Sequence, residues 1–240
     1  MWYVLDAEPG AYLYAGFCKY ITPEEYKEHV SNGTICDVLA KHEVHKGDVF
    51  YLPAGRVHAI CLGILLAEVQ QSSDVSYRIF DYNRPGLDGR PRELYTELVA
   101  KAFNFKVLNG CRTTYRGQDN KANEIIESPF FSVRTLELNR PMHRDMIKYD
   151  SFIIVMCLEG NTKIHVRSTK DEITLYEGYS CLIPAVIADY DYLPITVGEQ
   201  SELTLSQSKG IHCKVLESYI NNMEESIGSL LSRFFHITRN

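Results

Sequence analysis

No stretch of about eighteen consecutive apolar residues occurs in this 240-residue chain, so no helical membrane span is expected. The opening MWYVLDAEPG has neither the basic region nor the apolar core of a secretory leader. Positive charge is short as well. With 25 Lys and Arg against 31 Asp and Glu the formal charge is −6, and a nucleic-acid role has no electrostatic support. The seven cysteines (Cys18, Cys36, Cys61, Cys111, Cys157, Cys181 and Cys213) contain no CxxC pair. An odd, unpatterned set argues against a disulfide frame or a thiolate zinc site, and for reduced, buried thiols in a cytoplasmic protein. Apolar residues, by contrast, make up 45% of the chain, enough for a core in one large or two small domains.

The stretch from Gly47 to Arg84 is the most informative. Gly47, Pro53, Gly55 and His58 follow the order Gly-x5-Pro-x-Gly-x2-His. Gly47 turns the chain into a strand in which Val49, Tyr51 and Pro53 alternate with Asp48, Phe50 and Leu52. Pro53 and Gly55 then build a tight turn, and His58 opens the next strand. A lone His is ordinarily a structural one. This spacing, however, resembles the second half-motif of the cupin family, which implies an inward-facing imidazole that binds metal.

Beyond His58, the apolar run Ile64-Leu65-Leu66-Ala67 ends in Glu68, and a polar string carries on through Gln70, Gln71, Ser72, Ser73, Asp74, Tyr77, Arg78, Asp81, Tyr82 and Arg84. Burying so many polar groups is costly unless they serve a site. The string AEVQQSSDVSYRIFDYNR, with PRELY from Pro91, resembles the type I phosphomannose isomerases, in particular their short bacterial form. The resemblance implies a zinc-dependent aldose–ketose isomerase acting on a sugar phosphate, monomeric or homodimeric, with one zinc ion. His58 is then the metal ligand. Arg78, twenty residues later, matches the family's catalytic Arg, and Glu68 matches an active-site carboxylate. Arg84 falls where fungal relatives carry a site Lys, which implies a substrate contact. Structural roles stand beside these: an ion pair of Arg78 with Asp74 or Asp81, and a hydrogen-bonding role for Glu68.

In the family the WY segment is closely preceded by a metal-binding Glu, with a Gln-Val-His-Pro segment further upstream. Here Trp2-Tyr3 follows Met1 directly, so the expectation is a family member cut at an internal Met, inactive as it stands and a poor binder of zinc. The alternative is a natural short paralogue, a non-catalytic cupin that binds sugar or is only structural.

The expected fold is mainly β, with two cupin-like jelly-roll barrels and a few helices, the first barrel incomplete at its N-terminus. The first domain spans 1–111, with a helical insertion at about 22–40 and a helix at about 91–103. Thr22, Pro23 and Glu25 form a capping-box start, and His29, His42 and His45 are expected to be exposed. A linker takes 112–128. The second domain spans 129–216, with a strand over 152–158 turned by Glu159-Gly160-Asn161. Gly178 to Pro184 there repeats the spacing of Gly47 to Pro53, but Val186 stands at the second glycine and Asp189 at the His, with no metal partners evident nearby. The last segment, 217–240, reads as an amphipathic helix, docked on the barrel or forming a dimer contact.

Overall fold

The computed structural model describes residues 1–72, 77–79, 88–90, 94–107, 110–196 and 211–220. It divides into two compact units, Met1–Thr113 and Thr114–Asn240. Among the described residues no helix is long and apolar enough to cross a membrane.

The first unit runs β1 (Trp2–Ala7), β2 (Tyr12–Phe17), α1 (Pro23–Ser31), a 3-10 turn (Ile35–Val38), β3 (Leu39–Glu43), β4 (Val49–Phe50), β5 (His58–Ile60), β6 (Ile64–Glu68), α2 (Thr96–Ala102) and β7 (Arg112–Thr113). They form a four-stranded sheet, β6-β1-β4-β7, and a three-stranded sheet, β3-β2-β5. Trp2, Val4 and Phe50 from the first sheet share one apolar cluster with Leu13 and Ala15 from the second. A second cluster gathers Tyr26 of α1, Val99 of α2 and Phe17 of β2.

α1 begins as expected. The Thr22 side chain accepts from Glu25 N–H, and the Glu25 carboxylate accepts from Thr22 N–H. α2 is shorter than the expected helix, although residues 91–93 lie outside the described set. It buries Val99 and leaves Leu94 and Leu98 exposed, so its inward face runs through Tyr95, Val99 and Phe103. The strand that His58 opens ends at Ile60, and a turn at Leu62 and Gly63 separates it from the apolar run of β6, so that β5 and β6 lie in different sheets. His29 and His42 are half-buried rather than exposed. His29 Nδ1 pairs with the Thr34 hydroxyl at 2.8 Å, and His42 Nε2 lies 3.1 Å from Ala15 O.

The second unit runs β8 (Ala122–Glu127), β9 (Ser132–Leu138), β10 (Met142–Asp145), β11 (Ile153–Val166), β12 (Glu172–Leu175), β13 (Ser180–Ile183), β14 (Asp189–Ile195) and β15 (Cys213–Tyr219). Residues 112–128, expected to be a linker, therefore carry β7 and β8. The strands pair in the order β10-β14-β11-β15-β9-β8, with β12 and β13 also on β11. β11 serves two sets of neighbours: β13 and β15 along its first half, β12 and β14 along its second. A turn was expected at Glu159-Gly160-Asn161, but the strand passes through it, with a register shift between Cys157 and Glu159. Gly160 sits at φ +67, and a Cβ there would lie within contact of the His212 carbonyl, so only glycine lets β15 approach this closely. Glu217, Ser218 and Tyr219 continue β15 instead of opening a helix; residues 221–240, and with them the rest of the expected helix, lie outside the described set.

All seven cysteines are free. Burial pushes the Cys157 thiol up to about 12 and the Cys213 thiol up to about 11, so both stay protonated and unreactive near neutrality.

Candidate active site

Gly47 and Gly55 adopt φ of +90 and +81, a backbone region that side chains rarely enter. Between them Pro53 O accepts from Arg56 N–H at 3.2 Å, closing the turn that delivers His58 to β5. There His58 pairs with Ala15 of β2. The imidazole Nδ1 lies 2.8 Å from Arg56 O. A carbonyl only accepts, so Nδ1 carries a proton, and in the neutral imidazole the lone pair falls on Nε2. That tautomer suits metal binding through Nε2.

Glu68 closes β6, opposite Trp2 of β1. The ladder extends one step further, where Met1 N donates to Val69 O at 2.6 Å and Val69 N donates to Met1 O at 3.0 Å. Trp2 Nε1–H donates to Glu68 Oε1 at 2.9 Å. The same indole lies edge-on to the His58 ring, with centroids 5.2 Å apart and planes at 78°. His58 and Glu68 are thus brought together through Trp2. Burial lowers the Met1 ammonium from its ordinary range, and the nearby Glu68 carboxylate acts in the opposite sense.

Arg78 is fixed from another direction. Its carbonyl accepts from Tyr95 N–H at 3.1 Å, Tyr77 packs on the Tyr95 ring, and Ile79 joins the cluster around α1 and α2. Asp74, Asp81 and Arg84 lie outside the described residues.

The residues fit a metal only in part. His58 has the right tautomer and exposure for a ligand, but among the described residues no three His, Cys, Asp or Glu side chains converge as a metal group.

In the second unit the echo of the motif has a geometric counterpart. Pro184 O accepts from Ile187 N–H at 2.9 Å, as Pro53 O does from Arg56 N–H. Val186, in place of the second glycine, is 91% exposed. Asp189 is less isolated than expected. His143 Nε2 lies 3.5 Å from it, and His143 Nδ1 and the Arg167 guanidinium engage Asp191 at 3.1 and 2.8 Å. This is an exposed ion cluster in which Arg167 already supplies the positive charge. The interior of the unit holds a different group: Arg144 Nε and Nη2 donate to Glu217 at 3.0 and 2.6 Å, and the Tyr190 and Tyr192 hydroxyls donate to Glu217 Oε1 at 3.2 and 2.9 Å.

Two curled, mainly antiparallel β units with these Pro-closed turns define a cupin-like fold. Comparison with known proteins carries this further. The pattern of the mannose-6-phosphate isomerase cupin domain matches residues 121–191. The chain is 30% identical over 192 residues to a mannose-6-phosphate isomerase of Streptococcus mutans, covering 80% of this chain and 59% of that protein. It is 31% identical over 165 residues to the Bacillus subtilis mannose-6-phosphate isomerase ManA, covering 68% of this chain and 51% of that one. The crystal structure of a Bacillus subtilis mannose 6-phosphate isomerase superposes with a TM-score of 0.74 at 24% identity, covering 91% of this chain and 63% of that chain. A mannose 6-phosphate isomerase bound with zinc and yttrium superposes at 0.61 with 13% identity, covering 92% of this chain and 65% of that chain. The chain is a homologue of the mannose-6-phosphate isomerases, and it spans 51–59% of the length of these two curated relatives.

Proposed function

We propose that this protein belongs to a zinc-dependent isomerase that interconverts mannose 6-phosphate and fructose 6-phosphate. The observation that carries the reading is the His58 imidazole, bonded through Nδ1 to Arg56 O and bordering the indole of the Trp2–Glu68 pair, in a chain similar to such isomerases. His58 is assigned as a zinc ligand. Zinc, when bound, polarises substrate oxygens and offsets the negative charge that develops between C1 and C2.

The chain's own residues supply the rest. Isomerisation moves one proton between C1 and C2, and Glu68 is assigned to carry it. Oε1 is engaged by the indole N–H, which leaves the transfer to Oε2. Arg78 brings a permanent charge and a fork of donors to the enediolate oxygens. Arg84 is assigned to the substrate phosphate.

The test is an isomerase assay on the protein expressed from its complete reading frame and loaded with zinc. Fructose 6-phosphate should form from mannose 6-phosphate. A folded, zinc-loaded protein that forms none rejects the assignment.

A further inference from the structure

Trp2 is the only tryptophan of the chain and is 2% exposed. It stands on β1 of the four-stranded sheet and touches one side chain from each sheet, Glu68 of β6 and His58 of β5. Both of those residues are exposed. An exposed Glu ordinarily samples several rotamers, and restricting it costs entropy. A buried indole N–H requires an acceptor, so the Trp2–Glu68 bond restrains the carboxylate while satisfying the indole. On its other side the indole borders the His58 ring, whose remaining freedom is limited by the Nδ1–H bond to Arg56 O.

We propose that Trp2 is a positioning residue that couples Glu68 to His58, so that the orientation of the imidazole depends on the Glu68 hydrogen bond. The proposal rests on reading His58 as the metal ligand, but the coupling itself is independent of metal. A tryptophan serving only as core filler would pack with Val4, Leu13 and Phe50 and transmit nothing between the two polar groups.

The coupling is read first without metal, in the ring resonances of His58 by NMR. Glu68→Gln should shift them in the wild-type protein and leave them in place in a Trp2→Phe background. The phenyl ring fills most of the space of the indole and removes the N–H. Should Trp2→Phe fail to fold, benzothienylalanine at position 2 preserves the bicycle and removes only the donor. A Glu68→Gln shift that persists without the indole N–H would mean the carboxylate acts on His58 through space, and the absence of any shift in wild type would mean no coupling. Either result overturns the proposal.

The second reading uses zinc alone. Glu68→Gln should weaken uptake at His58 by about tenfold, in the range of outer-shell partners, and have no further effect once the N–H is gone. An equal loss in both backgrounds would make Glu68 a direct partner of the ion and overturn the proposal. Zinc uptake unaffected by His58→Ala would reject the metal reading, while the metal-free experiment would still decide the coupling.

Discussion

Glu217→Ala should cost the second unit about 3–5 kcal/mol, the usual penalty for removing one partner of a buried ion pair. Glu217 is 0% exposed. It takes two hydrogen bonds from Arg144 and one each from Tyr190 and Tyr192. Burial works against the Arg144 charge, and Glu217 more than reverses that, holding the guanidinium above its ordinary range. Desolvation, followed by the Glu217 charge, likewise raises the Tyr190 and Tyr192 hydroxyls, so both remain donors. Removing the carboxylate leaves a buried cation and two hydroxyls without their acceptor. Against a total stability of about 5–15 kcal/mol for a typical domain, the loss is severe. Urea unfolding monitored by circular dichroism measures it. The double variant Arg144→Met with Glu217→Leu should recover much of the loss, because it removes both charges together. A single-variant cost below about 1 kcal/mol, the level of an exposed pair, would show that the network is not the internal tie described here.

Arg78→Ala should lower kcat by about 10²–10³-fold in the active, zinc-loaded protein, with a smaller change in KM. That is the loss expected from one preorganised charge donor that acts mainly on the transition state. The surroundings of Arg78 suit the role: Tyr77 and the Arg78 carbonyl are both anchored to Tyr95, and Ile79 packs on the cluster around α1 and α2, so the backbone that carries the guanidinium is held at three points. Steady-state kinetics and a thermal melt together decide it. An unchanged kcat with a lowered Tm would assign Arg78 to a structural ion pair.

Several features were legible in the sequence because they are local. The turn through Gly47, Pro53 and Gly55 is set by backbone preferences within nine residues, and so is the capping box of α1. The division of β5 from β6 was not legible, because a turn at Leu62-Gly63 inside an apolar run has the same composition as a continuous strand. Glu217 was misread for a related reason. In β15 the inward positions are Cys213, Val215, Glu217 and Tyr219, and a carboxylate among them looks like the end of a strand. It is tolerated only because Arg144, 73 residues away, meets it in the core. The His143 neighbour of Asp189 is also a product of long-range register, in which β10 lies beside β14. Trp2 was visible only as part of the WY segment. Its part in the site comes from pairing with Glu68 across 66 residues, which no local pattern reveals.

The assignment of His58 as a zinc ligand is the claim on which the functional account turns. Isothermal titration with zinc at neutral pH of the protein expressed from its complete reading frame, beside the same protein with His58→Ala, tests it most directly. The account predicts zinc uptake by the wild-type protein that is lost in His58→Ala while the fold is retained. Identical isotherms for the two proteins would contradict it.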